Sequence, residues 1–226
     1  MSSLANNLVR FQNELRSVCE NCGRDPAEIQ LVAVSKNHSA AEVNELLKAG
    51  VVKIGENRLQ EALDKFPDLL KCEKHFIGHI QSNKAREIAQ NFDVVQSVGS
   101  LKVARILNEP VESINPRDIS GANSPAKLPI FLQVNLAHES QKSGFLENEL
   151  ADAVKAVSEL SRLELRGLMV MGILGDLEKT REVFARAKEL NDGFRFGCLS
   201  AGMSGDWEIA VAEGATHLRV GGLLFG

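Results

Sequence analysis

The chain has 226 residues, of which 44% are hydrophobic and 25% are charged, a composition typical of a globular protein with a sizeable core. The net charge of −4 and the pI near 5.8 argue against a broad nucleic-acid-binding face. No apolar run reaches the about 18 residues of a membrane span, and the first residues lack the basic start and apolar core of a signal peptide. We therefore expect a cytoplasmic protein with neither nucleic-acid nor membrane partners.

The four cysteines also favour the cytosol. Without a secretion signal, Cys19, Cys22, Cys72 and Cys198 are expected to be reduced thiols. Cys19 and Cys22 have the spacing of a redox motif, but they end a helical pattern instead of following a strand. We therefore predict no thiol chemistry and no metal site.

The first predicted element is a helix. Leu4, Leu8, Phe11, Leu15 and Val18 recur at alternating steps of four and three, which places them on one apolar face. Short apolar runs then alternate with helical patterns to the end of the chain. The predicted strands are 31–36, 51–54, 75–77, 93–97, 129–135, 165–171, 197–200 and 216–221.

This alternation of strands and helices predicts an α/β protein with a parallel sheet. Eight units in a chain of this length favour a single (β/α)8 TIM-type barrel spanning 1–226, with an additional N-terminal helix. An open doubly wound sheet is the alternative, although the first strand lacks the glycine-rich turn of dinucleotide-binding folds. The stretch 110–127, rich in proline and small polar residues, is predicted to be a surface insertion away from the chemistry.

The first strand ends in Lys36, and an amine at the end of a buried strand has two interpretations. A charged amine is costly to bury, so the side chain can extend along the protein surface to reach water. The other interpretation is a desolvated lysine of lowered pKa that forms a Schiff base with a carbonyl compound. The position of the strand in the fold decides between them.

In a barrel, binding residues stand at the carboxyl ends of the strands. Polar or flexible residues found there are Lys36, Glu56, Asn57, His79, Ser97, Asn135, Met171, Ser200, Met203, Ser204 and Arg219, together with the glycines Gly202, Gly221 and Gly222. The loops after strands seven and eight are where barrels often bind phosphate through backbone N–H groups and a helix N-terminus. Taken alone, Ser204 could simply cap a helix and the glycines could simply form a turn.

A phosphate anchor, a lysine and an arginine around one pocket suit a phosphorylated aldehyde, and pyridoxal 5'-phosphate fits this description. Its phosphate would lie at the loops after strands seven and eight, its aldehyde at Lys36 and its pyridine nitrogen against Arg219. A guanidinium can only donate hydrogen bonds, so it would leave that nitrogen unprotonated. The predicted cofactor contacts are Lys36 (Schiff base), Asn57, His79, Ser200, Met203, Ser204, Arg219, Gly221 and Gly222.

Several motifs resemble those of the pyridoxal phosphate homeostasis proteins, in order along nearly the whole chain. They are Ala33-Val-Ser-Lys36, Gly55-Glu-Asn57, His75-Phe-Ile-Gly-His-Ile-Gln-Ser-Asn-Lys84, Glu139-Ser-Gln-Lys-Ser-Gly144, Leu165-Arg-Gly-Leu-Met169, Leu199-Ser-Ala-Gly-Met-Ser204 and Arg219-Val-Gly221. The resemblance implies a single barrel related to the N-terminal domain of alanine racemases, with the cofactor on Lys36. It also implies a protein that buffers or delivers cofactor and has no established reaction.

The sequence departs from that family at three positions. Arg58 stands where an aromatic residue often occurs, Ala201 where methionine is frequent, and Gly222 where a threonine often contacts phosphate. The last change would move part of the phosphate binding from a hydroxyl to backbone N–H groups.

Two enzymatic alternatives remain at this point. A racemase needs bases on both faces of the cofactor, and in racemases of this fold the second base is a tyrosine from another domain. This chain contains no tyrosine, which leaves only a weak side reaction. A Schiff-base aldolase acting on a phosphorylated substrate would need carboxylates beside the lysine, and Glu56 is the main candidate. We expect a monomeric cofactor carrier that contacts apo pyridoxal phosphate enzymes transiently, with Glu139 and Lys142 as a candidate lid.

Overall fold

The computed structural model describes residues 2–110, 127–137 and 143–226. Most of the predicted insertion 110–127 lies outside these ranges, as do Glu139 and Lys142 of the candidate lid. Among the helices of the described ranges, none combines the length and apolar character that a membrane span requires.

Eight parallel strands close into a barrel in the order β1 to β8, with β8 paired back to β1. The strands are β1 (Gln30–Val34), β2 (Lys53–Glu56), β3 (Glu73–Phe76), β4 (Val94–Val98), β5 (Leu128–Gln133), β6 (Leu163–Met169), β7 (Cys198–Ser200) and β8 (His217–Val220). The predicted TIM-type barrel is confirmed, and the open sheet is not formed. The strands β2 and β6 are each displaced by two residues from their predicted ranges. At β2 the N–H of Val51 donates to Leu46 O, so Val51 completes the turn before the strand.

The helices surround the barrel, as the sequence predicts. They are α1 (Ser3–Cys22), α2 (Ala40–Lys48), α3 (Leu59–Lys65), α4 (Ala85–Asn91), α5 (Leu101–Leu107), α6 (Leu150–Ser158), α7 (Leu177–Gly193), α8 (Trp207–Ala212) and α9 (Gly222–Phe225). Ser39 and Glu42 form a capping box at the start of α2, which the sequence Ser39-Ala-Ala-Glu42 predicts from its spacing. The four-residue α9 was not predicted, because one turn is too short to show a periodic pattern.

The N-terminal helix α1 packs against α8, α9 and α2, so it occupies the place beside β8 that the short α9 leaves open. Phe11 on its buried face meets Trp207 in an edge-to-face contact, with ring centroids 5.1 Å apart. The amide of Asn7 donates to the carbonyls of Leu224 and Gly226, at 3.2 and 2.9 Å. The first helix therefore holds the last residues of the chain.

Alternation along the strands gives the barrel two different faces. Outward residues such as Ala33, Phe76 and Leu218 belong to the large apolar core between barrel and helices. The inward face carries polar side chains, and Gln96 of β4 bonds to Ser200 of β7 at 2.7 Å. Because β4 and β7 are not neighbours, these two side chains can meet only inside the barrel. TIM-barrel interiors are usually filled by branched apolar residues, so this polar interior needs an explanation.

The packing of α1 gives a prediction about stability. Replacing Phe11 by alanine empties a fully buried site, and we expect the free energy of unfolding to fall by about 3–5 kcal/mol. Urea unfolding followed by the fluorescence of Trp207, the only tryptophan, measures this directly. The exposed neighbour Gln12→Ala on the same helix is the control and should change stability by less than about 0.5 kcal/mol. Equal stability of the two variants would contradict the packing described.

Candidate functional site

Lys36 stands at the open, carboxyl end of the barrel. It follows β1, and the alternation that turns Val32 inward also directs Lys36 toward the barrel axis. Val32 is aligned with Arg219 of β8, so the two predicted site residues rise from adjacent strands on one inward face. The expectation of a desolvated lysine is wrong, because the side chain is exposed beyond the end of the strand. Among the described residues, no group forms a hydrogen bond or ion pair with its Nζ.

Arg219 lies deeper and is fixed by two hydrogen bonds. Its Nη1 donates to Ser200 Oγ at 2.6 Å and its Nη2 donates to Val170 O at 2.9 Å. Burial lowers the pKa of this guanidinium to about 10, and the Asp206 carboxylate opposes that shift. The side chain is therefore still charged at neutral pH, and its remaining N–H groups can donate to a further acceptor.

Ser200 lies inside β7 and is completely buried. Its hydroxyl accepts from Arg219 and donates to Gln96 Oε1, so its single hydrogen is already used. The sequence prediction placed this serine among the cofactor contacts. The structure places it within the barrel interior, behind the guanidinium.

The loops after β7 and β8 meet at the end of β1. Ser204 Oγ accepts a hydrogen bond from the N–H of Gly221 at 3.4 Å, so this serine joins the two loops and does not cap α8. A Cβ on Gly221 would come within 3.0 Å of Val34 O, which shows how closely the last loop approaches the strand that carries Lys36. A Cβ on Gly222 would meet only Ser204 Oγ, at 3.8 Å, so this corner is open.

Gly202 and Met203 complete the loop after β7. Gly202 has a φ of +91°, and a Cβ there would lie 2.6 Å from that of Ala210, so both conformation and space require glycine. Met203 is 40% exposed at the surface of the loop. Its N–H donates to Asp206 Oδ1, which fixes the turn into α8.

Asn57 and His79 lie on the other side of the mouth, after β2 and β3. Asn57 Oδ1 is buried and has no hydrogen-bond partner within the described residues. Gly78 packs on the main chain of Asn57, where a Cβ would come within 2.1 Å of its carbonyl oxygen. His79 is exposed, and its Nδ1 lies 2.8 Å from Ser143 Oγ. His79 and Ser143 line a cavity of about 300 Å³.

A buried ion pair behind the site escaped the sequence analysis. Glu56 Oε1 accepts from Ser35 Oγ at 2.6 Å and from Lys65 Nζ at 2.7 Å, and the same Nζ donates to Ser35 O at 2.7 Å. Glu56 therefore faces the helix layer, where Lys65 of α3 lies, and not the pocket. Its role is to hold the residue before Lys36, and the aldolase alternative loses its main carboxylate.

Two histidines line the lower interior of the barrel, of which His75 is buried and His217 is partly buried. Burial, together with the nearby His75, lowers the pKa of His217 to about 3. Burial also lowers the pKa of His75, while its hydrogen bond to Glu73 opposes the shift. Both rings are therefore neutral at physiological pH.

Comparison with known proteins links this geometry to a family. The family described as alanine racemase, N-terminal domain, matches residues 7–226. The pyridoxal phosphate homeostasis proteins of Pseudomonas aeruginosa and Escherichia coli K12 are 42% and 36% identical, over 100% of this chain and 96% and 97% of their own.

Solved structures also resemble this chain over nearly its whole length. PipY of Synechococcus elongatus, determined with PLP bound, superposes with a TM-score of 0.81 at 35% identity and covers 99% of this chain and 100% of its own. An alanine racemase of Clostridium difficile shares the fold at a TM-score of 0.66 and 16% identity, but the match covers only 56% of that longer chain.

The interior histidines predict acid sensitivity. The pKa of His217 is about 3 in the folded protein against an ordinary 6.5, so unfolding takes up a proton between these values. The contribution of neutral His217 to the free energy of unfolding is therefore complete above about pH 6.5, and it falls by up to about 1.4 kcal/mol per pH unit as the pH decreases toward 3. Urea unfolding at about pH 7 and about pH 5 should show a smaller loss in His217→Gln than in the wild type. The exposed His79→Gln is the control, and an unchanged loss in both variants would contradict the assignment.

Proposed function

The chain belongs to the family of pyridoxal phosphate homeostasis proteins, and we propose that it binds pyridoxal 5'-phosphate at the mouth of its barrel and keeps the cofactor available to other proteins. The observation that carries this proposal is that three adjacent strands, β7, β8 and β1, present three groups of complementary chemistry toward the carboxyl end of the barrel. They are the free amine of Lys36, the buried guanidinium of Arg219 and the open serine–glycine corner of the last two loops.

The open corner suits the phosphate. Ser204 supplies a hydroxyl hydrogen, because its oxygen already accepts from the Gly221 N–H, and Gly222 supplies a backbone N–H without a side chain that would keep an anion away. A phosphate there lies beside the strand end that carries Lys36, because Gly221 contacts Val34. The buried, unpartnered Oδ1 of Asn57 marks a further polar contact of the pocket.

Lys36 is the residue that would hold the aldehyde. The cofactor supplies a carbonyl carbon that a neutral amine attacks reversibly, with loss of water. The amine is exposed and carries no salt bridge to any described residue, so neither an ion pair nor packing has to be broken before it reacts. Ser35, the residue before it, is held by Glu56 and Lys65, which fixes where the lysine begins.

Arg219 would face the ring nitrogen of the cofactor, and this pairing favours holding the cofactor over catalytic turnover. A guanidinium donates a hydrogen bond and keeps its own proton, so the ring stays a weak electron sink. The chain also has no tyrosine to serve as a second base. We propose a carrier without a physiological reaction of its own.

We further propose a monomeric, cytosolic protein that meets apo pyridoxal phosphate enzymes transiently. All four cysteines, each within the described residues, are free, which suits a reducing compartment. Light scattering of the cofactor-loaded protein tests the monomer.

Cofactor attachment has a direct test. The protein incubated with pyridoxal phosphate should be yellow, and Lys36→Ala should lose the visible band and bind roughly 100-fold or more weakly, because the covalent link is gone. Reduction with borohydride followed by peptide mass spectrometry should place the cofactor on Lys36. Lys84→Ala, which removes a different exposed lysine from the same face of the barrel, should keep the band. A colourless wild-type protein would overturn the proposal.

Delivery is tested by transfer in the presence of an aldehyde scavenger such as semicarbazide. The loaded protein should reconstitute an apo-enzyme faster than the same concentration of free cofactor, because bound cofactor is protected from the scavenger. Lys36→Ala should give no such advantage. Reconstitution no faster than spontaneous release of cofactor would show a reservoir without direct delivery.

A further inference from the structure

A continuous line of hydrogen bonds crosses the inside of the barrel from Arg219 to the opposite rim. Arg219 Nη1 bonds to Ser200 Oγ at 2.6 Å, Ser200 Oγ to Gln96 Oε1 at 2.7 Å, Gln96 Nε2 to His75 Nδ1 at 2.7 Å and His75 Nε2 to Glu73 Oε1 at 2.6 Å. Lys53 Nζ closes the line by donating to the same carboxylate oxygen at 2.8 Å. We call Arg219, Ser200, Gln96, His75 and Glu73 the interior chain.

The chemistry at its two ends fixes the direction of every bond. Arg219 can only donate, so Ser200 accepts from it and sends its one hydrogen to the Gln96 carbonyl oxygen. The Gln96 amide nitrogen then faces His75, whose Nδ1 must accept. The His75 proton therefore lies on Nε2, from which it is donated to the Glu73 carboxylate. A single tautomer of His75 and a single orientation of the Gln96 amide satisfy every hydrogen bond of the interior chain.

Packing alone does not explain this arrangement. Ser200, Gln96 and His75 are almost completely buried, and burying polar groups costs free energy unless each finds its partner. Apolar side chains of similar size would fill the same space without that requirement. The interior chain leaves the Arg219 guanidinium tied on one side to Ser200 and on the other to Val170 O, so it has little freedom to rotate.

We propose that Ser200, Gln96 and His75 are positioning residues that hold the Arg219 guanidinium in one orientation toward the pocket. Resting on the proposed function, the group so presented is the hydrogen-bond donor to the pyridine nitrogen of the cofactor. Arg219 touches the cofactor, and the other three act through it. Loss of Gln96 removes the acceptor of the Ser200 hydroxyl, frees that hydroxyl to rotate, and loosens the guanidinium that depends on it.

The test compares two identical substitutions at buried, inward-facing glutamines. Gln96→Leu breaks the interior chain at its centre. Gln133→Leu is the matched control, because Gln133 is also buried but donates to Ser143 O and is not part of the interior chain. Gln96→Glu is the second variant, since its carboxylate still accepts from Ser200 but cannot donate to His75 Nδ1.

The first measurement needs no cofactor. Nitrogen-15 NMR of the wild type should show neutral His75 with its proton on Nε2 and slow hydrogen exchange at the Arg219 side chain. In Gln96→Leu that exchange should accelerate roughly tenfold, and in Gln133→Leu it should not change. In Gln96→Glu carboxylates would face both ring nitrogens, so His75 should carry a proton on Nδ1 as well as on Nε2. Equal Arg219 exchange in the two leucine variants would overturn the proposal.

The second measurement is cofactor affinity from the visible band. Gln96→Leu should keep the band, because Lys36 is intact, but bind roughly tenfold more weakly than Gln133→Leu. Unchanged affinity in Gln96→Leu would show that the orientation of Arg219 does not matter for binding. If the proposed function itself were wrong, the wild type would form no visible band with pyridoxal phosphate. The exchange measurement would still decide whether the interior chain positions Arg219, so the two failures can be told apart.

Discussion

The structure depends on the pairing that closes the barrel between β8 and β1. That pairing aligns Arg219 with Val32 and Val220 with Ala33. Because side chains alternate along a strand, one register fixes which residues face the axis on both strands. Shifting it by one residue would turn the guanidinium toward the helices and separate it from the lysine. The site is therefore a consequence of closure, and no single strand or loop contains it.

Closure also divides the strands into an apolar outside and a polar inside. The outward residues join the helices in one large core, which supplies the hydrophobic stabilisation. The inward face is then free to carry hydrogen-bonding groups, provided that each is satisfied. Phe131, Met169 and Val94 form a small apolar cluster beside them and exclude water from part of the interior. Stability and chemistry thus reside on opposite faces of the same strands.

The sequence predicts the barrel, the first helix and the capping box, because periodicity and capping are local signals. It also brings Lys36 and Arg219 to one end of the barrel, because all parallel strands end on that side. It wrongly places Glu56 at the candidate site. The partner of Glu56, Lys65, lies on a helix, and the face toward which Glu56 points depends on where β2 begins. It misses Gln96 and His75, although polar residues within strands predicted to be buried are the signal that could have revealed them. Their partners lie on distant strands, and only the closed barrel shows which groups meet.

The packing of α1 has a consequence for how the protein is made. Helix α1 packs on the nearby α2 but also on α8 and α9, which are synthesised much later, and Asn7 contacts Gly226. The part of its apolar face that packs on α8 must remain uncovered while β1 to β7 and their helices are synthesised. Phe11 cannot meet Trp207 until α8 has been synthesised. Chaperone protection during synthesis matters more for such a barrel than for one whose helices pack onto the strands that immediately precede them.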